Sequence, residues 1–230
     1  MSAEHTDPVR PYHDRKRRVA RRIIRTLITR PAVKTAVRTR VLGTENVSRL
    51  KGAYIVVANH SSHLDAPTVF SLLPKEMTEK LASGAAADYF YKRKAISALT
   101  SMFFNTYPIA RKNGAGKSVA VPPGMSGRLL ESGVPILVFP EGTRSRSGKP
   151  GEFRPGTAAL ALKLRIPIVP LALIGCADAM PVGTVFPKFG RKPVTLRIGE
   201  PMWGNDGETA ADFMGRIKAR IESMLALGHA

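Results

Sequence analysis

The sequence predicts an α/β protein with a mixed, mostly parallel sheet flanked by helices, preceded by a basic amphipathic helical hairpin. Three observations carry this. From residue 53 onward, short apolar runs alternate with segments of helical periodicity, the pattern of a sheet covered on both faces. Polar clusters follow several apolar runs directly, as at strand ends. The first fifty residues instead combine arginines with apolar residues at helical spacing.

Residues 1–14 are polar and read as a disordered tail. Residues 15–42 read as two basic amphipathic helices that anchor the chain to a membrane surface. Val19, Ile23, Ile24, Leu27 and Ile28 make one stripe, with Arg17, Arg18, Arg21, Arg22 and Arg25 around it. Pro31 is expected to break the first helix. Val33, Val37 and Val41 suggest a second, beside Lys34, Arg38 and Arg40. Residues 43–230 form the main domain. Its predicted strands are Ala53–Ala58, Tyr107–Ala110, Val134–Phe139, Ile166–Ile174 and Val194–Ile198. Its predicted helices cover 65–73, 88–104, 124–132, 156–165 and 208–227. Asp65 and Pro67 open the first of these helices.

The net charge is +19, and residues 1–51 carry +10 of it. Such an excess calls for an acidic partner: nucleic acid, an anionic membrane or a phosphorylated substrate. The basic segment has no aromatic interleaving and no reading motif, so no nucleic-acid partner is expected. No apolar run is long enough to span a bilayer, and arginines interrupt every candidate signal-peptide core. The expected location is peripheral, on the cytoplasmic face of the cell membrane. Cys176 is the only cysteine and lies in an apolar stretch, where it reads as a small core residue.

Two polar constellations follow apolar strands. Phe139-Pro-Glu-Gly-Thr-Arg-Ser145 places Glu141, Gly142, Thr143 and Arg144 at a strand end. Pro140 stops pairing, Gly142 permits close backbone approach, and Arg144 offers a planar fork for phosphate or carboxylate. Asn59-His-Ser-Ser-His-Leu-Asp65 places His60 at a strand end and Asp65 at a helix start. A carboxylate folded back onto the imidazole fixes its tautomer and raises the basicity of the far nitrogen. That pair can deprotonate an alcohol for acyl transfer without an enzyme nucleophile. Other patterns give weaker chemistry. His63 reads as a variable pocket or surface residue. Gly114–Ser118 has the end of a phosphate loop but lacks its first glycine, because residue 111 is Arg. No Gly-x-Ser-x-Gly elbow presents Ser61, Ser62 or Ser145 as a nucleophile, and no ligand spacing suggests a metal.

Together the two constellations resemble the glycerolipid acyltransferases, whose simplest members are 1-acylglycerol-3-phosphate acyltransferases. Asn59, His60 and Asp65 match the first motif of that family, and Pro140–Ser145 matches the third. Tyr107–Arg111 matches the second, with Asn105 near a position where the family usually has glycine. Ile166–Leu171 matches the fourth. The resemblance implies a glycerol-phosphate acyltransferase-like fold and a role for each residue. His60 is the general base and Asp65 orients it. Glu141 meets the acceptor's hydroxyls. Arg111 and Arg144 hold its phosphate, with Gly142 and Thr143 adding backbone and hydroxyl contacts. The implied reaction moves a fatty acyl group from acyl-CoA or acyl carrier protein to a lysophospholipid acceptor. It needs no cofactor beyond that co-substrate and no metal. The implied acceptor is 1-acylglycerol-3-phosphate, giving phosphatidic acid. Another lysophospholipid or glycerol-3-phosphate is the alternative within the family. A basic nucleic-acid or membrane-surface binding protein without catalysis is the alternative outside it.

Overall fold

A computed structural model describes residues 7–86, 103–109, 124–146, 149–184 and 186–229. Arg111, the Gly114–Ser118 stretch and most of the expected helix 88–104 lie outside the described residues.

Among the described residues, seven strands form one sheet in the order β1-β7-β6-β2-β5-β3-β4. They are β1 Arg38–Leu42, β2 Ile55–Ala58, β3 Ala82–Ala86, β4 Thr106–Ile109, β5 Ile136–Val138, β6 Ile168–Ile174 and β7 Pro193–Ile198. Every neighbouring pair is parallel except β6 and β7. The mixed, mostly parallel sheet expected from the sequence is therefore present. The pleat sorts its side chains to two faces. Val56 and Ala58 join one core with Val69, Phe70, Leu137 and Leu171. Ile55 and Val57 join the other with Leu129, Ile136, Phe213 and Ile217. Helix α4 (Asp65–Leu72) covers the first face. Helices α6 (Met125–Glu131), α7 (Gly156–Leu164) and α9 (Ala210–Ala226) cover the second. A short α5 (Lys75–Thr78) lies between α4 and β3 in the chain, and α8 (Cys176–Ala179) follows β6. Cys176 is fully buried, as its apolar surroundings in the sequence suggested.

The N-terminal segment departs from expectation in three ways. Residues 7–14 are ordered rather than part of a disordered tail. Arg10–His13 form α1, Val9 is buried, and the Tyr12 hydroxyl donates to the Thr106 carbonyl at 3.1 Å. Pro31 does not break the helical run. Helix α2 (Arg15–Ile24) passes through a π-helical turn, Arg25–Thr29, into α3 (Arg30–Ala36). That wider turn accommodates a proline at the start of α3, where a missing N–H costs least. The second helix then ends at Ala36, and Arg38–Leu42 pair with β7 as an outer strand. The boundary expected between residues 42 and 43 thus falls at the end of a strand of the main sheet. Alternating arginines disguised this strand: an edge needs only one apolar face, and charge on the other discourages pairing with a further chain.

Strand β3 was also unreadable. Ala-Ser-Gly-Ala-Ala has no strand propensity. Small size is the requirement here, since a Cβ on Gly84 would sit 2.1 Å from Ile109 Cδ1 on β4. Pro170, inside β6, is tolerated because β7 has ended at Ile198. Its carbonyl accepts the Gly199 N–H at 2.9 Å.

Candidate active site

Strands β2 and β5 are parallel neighbours, with Val57 opposite Val138. Their carboxyl ends therefore open at the same edge of the sheet, where ligands of α/β proteins bind. This register brings the His60 loop and the Glu141 loop together across 81 positions of sequence.

Asn59 continues β2 by side chain. Its Nδ2 donates to the Leu173 carbonyl at 3.0 Å, and its Oδ1 accepts the Leu173 N–H at 2.8 Å. The amide replaces two ladder bonds with β6, so the backbone can leave the sheet at His60. His60 Nδ1 then lies 2.7 Å from Asp65 Oδ2. Asp65 is fully buried at the first turn of α4, where a carboxylate also opposes the helix dipole. The same Oδ2 accepts the N–H groups of Ser61 at 2.7 Å and Ser62 at 2.8 Å. These bonds fix the side chain. A proton on Nδ1 donated to Asp65 would leave the Nε2 lone pair able to accept one. The Phe139 ring stacks on the imidazole at 4.2 Å between centroids. On the far side of Asp65, burial first and then the Asp65 charge push the Cys176 thiol well above its usual range.

Glu141, which the resemblance assigns to the acceptor's hydroxyls, is held here by two backbone donors. Its Oε1 accepts the His60 N–H at 2.8 Å, and its Oε2 accepts the Gly151 N–H at 2.9 Å. The carboxylate is buried and ties the two loops together at the base. Ser145 N–H donates to the His60 carbonyl at 2.8 Å, adding a second tie. Gly142 has φ of +70°, which a tight turn back to Phe139 requires.

Beyond Glu141, the loop between β5 and α7 surrounds a cleft of about 440 Å³. Thr143, Arg144, Lys149, Glu152 and Arg154 are among the residues that line it. Thr143 and Arg144 read from the sequence as site residues, whereas Lys149 and Arg154, which line the same cleft, do not. Their signal was position: both lie in the same loop as the motif, within ten residues of Arg144. A Cβ on Gly142 would meet the Arg154 guanidinium carbon at 3.4 Å, so that glycine keeps Arg154 close to the turn. Several cations on one cleft suit a phosphate. Asn105, near the family's glycine position, has φ of +49°, a conformation that Asn tolerates better than most residues.

His63 also enters the site, as a support. Its Nε2 accepts a hydrogen bond from Arg144 Nη1. Burial first, then the charges of Arg144 and His60, hold His63 below its ordinary value of 6.5. The neutral ring can accept that bond, whereas the protonated ring repels the guanidinium. The contact therefore holds above the ordinary histidine range and is lost as pH falls through His63's lowered value. The acceptor KM should rise at pH below 6.5 in the native chain. His63→Gln should flatten that rise, and an unchanged KM–pH profile would remove His63 from this role.

The acyltransferase family model matches residues 38–174, more than half of the chain. The chain belongs to the acyltransferase family. The matched span begins at β1, includes both site loops and ends with β6. Among curated relatives, the chain is 27% identical to the chloroplastic 1-acyl-sn-glycerol-3-phosphate acyltransferase BAT2 of Brassica napus. That alignment covers 86% of this chain and 55% of the relative. It is 31% identical to 1-acyl-sn-glycerol-3-phosphate acyltransferase alpha of Homo sapiens over 54% of this chain and 42% of the relative. The chain spans about half the length of the curated relatives it matches. The crystal structure of the 1-acyl-sn-glycerophosphate acyltransferase PlsC from Thermotoga maritima superposes with a TM-score of 0.69 at 24% identity. It covers 96% of this chain and 87% of that one, and shows a shared fold.

Proposed function

We propose that this family member transfers a fatty acyl group from an acyl thioester, acyl-CoA or acyl carrier protein, to the free hydroxyl of 1-acylglycerol-3-phosphate. The product is phosphatidic acid. The observation that carries the reading is a His60–Asp65 pair at 2.7 Å beside a cation-lined cleft. His60 Nε2 takes the acceptor's hydroxyl proton as that oxygen attacks the thioester carbonyl. The tetrahedral intermediate collapses, the C–S bond breaks, and His60 returns the proton to the leaving thiolate. Asp65 stabilises the imidazolium between these steps. Arg144 and Arg154 hold the acceptor's phosphate, and Arg111 is assigned to the same phosphate by its motif position. Glu141 positions His60 instead of reaching the acceptor's hydroxyls. The names of the Brassica napus and Homo sapiens relatives support this acceptor.

The test is product detection by mass spectrometry, with one acyl thioester and a panel of lysophospholipids plus glycerol-3-phosphate. Phosphatidic acid formed from the lysophosphatidic acid arm supports the reading. Turnover confined to another acceptor would move the specificity, and no turnover in any arm would sink it.

We further propose that the chain works at an anionic bilayer surface, on the cytoplasmic face of the cell membrane. Ile23 is 51% exposed and Leu27 69%, with Val19 and Ile28 exposed beside them and arginines flanking the stripe. No helix among the described residues is long and apolar enough to cross a membrane. Phe186 and Phe189 stand exposed on either side of Lys188, in the loop after α8. Arg191 ties that loop to α3 through the Lys34 carbonyl at 2.7 Å. Deleting residues 1–42 would remove β1 from the sheet, so the informative variant is Ile23→Asp with Leu27→Asp. It should lose most co-sedimentation with anionic vesicles at unchanged Tm. Full retention would exclude this stripe as the contact.

A further inference from the structure

We propose that the cleft between α2 and α5 is a phosphate-binding site, filled by the headgroup phosphate of a bilayer lipid or by a free phosphate. Arg18, Arg22, Arg25, Arg30 and Lys75 line it, against one carboxylate, Glu79. Five cations converge there from α2, the π-helical turn, α3 and α5. It shares no residue with the cleft beside His60.

The built part of the site is Arg25, only 5% exposed. Structural duty accounts for most of its side chain. Nε donates to the Phe103 carbonyl at 3.3 Å, Nη1 donates to the Thr78 carbonyl, and the guanidinium carbon lies 4.7 Å from the Phe70 ring centroid. Nη2 is left over: it is buried and has no hydrogen-bond partner. Arg18 Nε is buried and unpartnered as well. Glu79 does not answer this need. The ion pairs among the described residues are His60–Asp65, Arg216–Glu208 and Lys218–Glu222, and none includes the cleft. Burial first, then the neighbouring Arg21 and Arg30 charges, bring Arg25 down to about 10. Glu79 partly offsets the Arg25 charge but forms no ion pair with it, and a bound dianion would lower the remaining cost of burying the guanidinium among other cations. Phosphate fits the donors: it offers several acceptor oxygens to planar forks arriving from different elements, with Lys75 as a point charge. The exposed Ile23 and Leu27 lie on the same helical run, which would put the cleft at headgroup depth on a bilayer.

The test uses the full chain. Inorganic phosphate binding is measured by calorimetry at constant ionic strength. Vesicle binding is measured with phosphatidylcholine carrying either phosphatidic acid or phosphatidylserine at matched surface charge. Arg22→Gln with Lys75→Gln removes two exposed cations of the cleft and leaves the buried Arg25 tether in place. Lys163→Gln with Arg220→Gln removes equal charge from exposed positions elsewhere. The cleft variant should weaken phosphate binding about tenfold, with the control pair near native. Glu79→Gln should tighten it. A preference for phosphatidic acid vesicles that only the cleft variant loses identifies the lipid headgroup as the source. Cleft-dependent phosphate binding without a vesicle preference identifies a soluble phosphate. Absent phosphate binding, with vesicle binding lowered equally by both double variants, would overturn the site. No arm measures turnover, so this result and the acyl-transfer assay can fail independently.

Discussion

His60→Ala should lower kcat by about 10³- to 10⁴-fold, with the protein still folded. The imidazole is partly exposed, so its removal opens no core cavity. Asp65 keeps the Ser61 and Ser62 N–H donors after the ring is gone. Stability should therefore fall by only about 1 kcal/mol, mostly from the lost Asp65 bond and Phe139 stack. Acceptor KM should change little, because the residues proposed to hold the phosphate, Arg111, Arg144 and Arg154, are left unchanged. Asp65→Asn makes the companion test. An amide cannot provide the negative charge that stabilises the imidazolium, so kcat should drop by about 10²- to 10⁴-fold. The measurement is steady-state acyl transfer from a thioester to lysophosphatidic acid, with circular dichroism as the folding control. A His60→Ala protein retaining a tenth of native kcat would end the general-base assignment.

Glu141→Ala should damage both stability and activity, a combination that a mere substrate contact would not produce. The carboxylate accepts two backbone N–H groups, from His60 and Gly151. Its loss leaves both without that partner near a buried loop base, at about 1–3 kcal/mol each, less whatever entering water recovers. For a chain of this size each kcal/mol shifts Tm by about 2–4 °C, so a fall of roughly 5–10 °C is expected. Activity should fall about a hundredfold, because His60 is no longer held against the cleft. Glu141→Gln should fall between native and alanine in Tm, since the amide keeps one acceptor and turns its NH₂ toward the other donor. Thermal unfolding of the three proteins decides the matter. Equal Tm values would return Glu141 to a substrate-binding role.

The fold was legible where one physical demand dominated. Ile55–Ala58 and Ile136–Val138 are buried strands and read as unbroken apolar runs. Helix α9 read well because one face meets the sheet and the other meets water. Legibility failed where two demands competed at one residue. In β1, the exposed edge face took arginines and the pattern resembled a basic helix. In β3, room for Ile109 took precedence over strand propensity. At Pro31, a π-helical turn relieved the clash that normally ends a helix.

The candidate site divides along the same line. Residue types and local spacing by themselves determined the His60–Asp65 pair, since both partners sit on one short turn between a strand and a helix. They also determined the Pro140–Ser145 loop and hence the family. Only the tertiary structure decided that Glu141 supports His60, because that contact depends on β2 and β5 being parallel neighbours in register. It alone drew Lys149 and Arg154 to the cleft, His63 to Arg144, and Arg25 into a buried position with a spare donor. Chemistry carried by a single turn is visible in the order of residues. Chemistry shared between strands depends on which strands the core packs side by side.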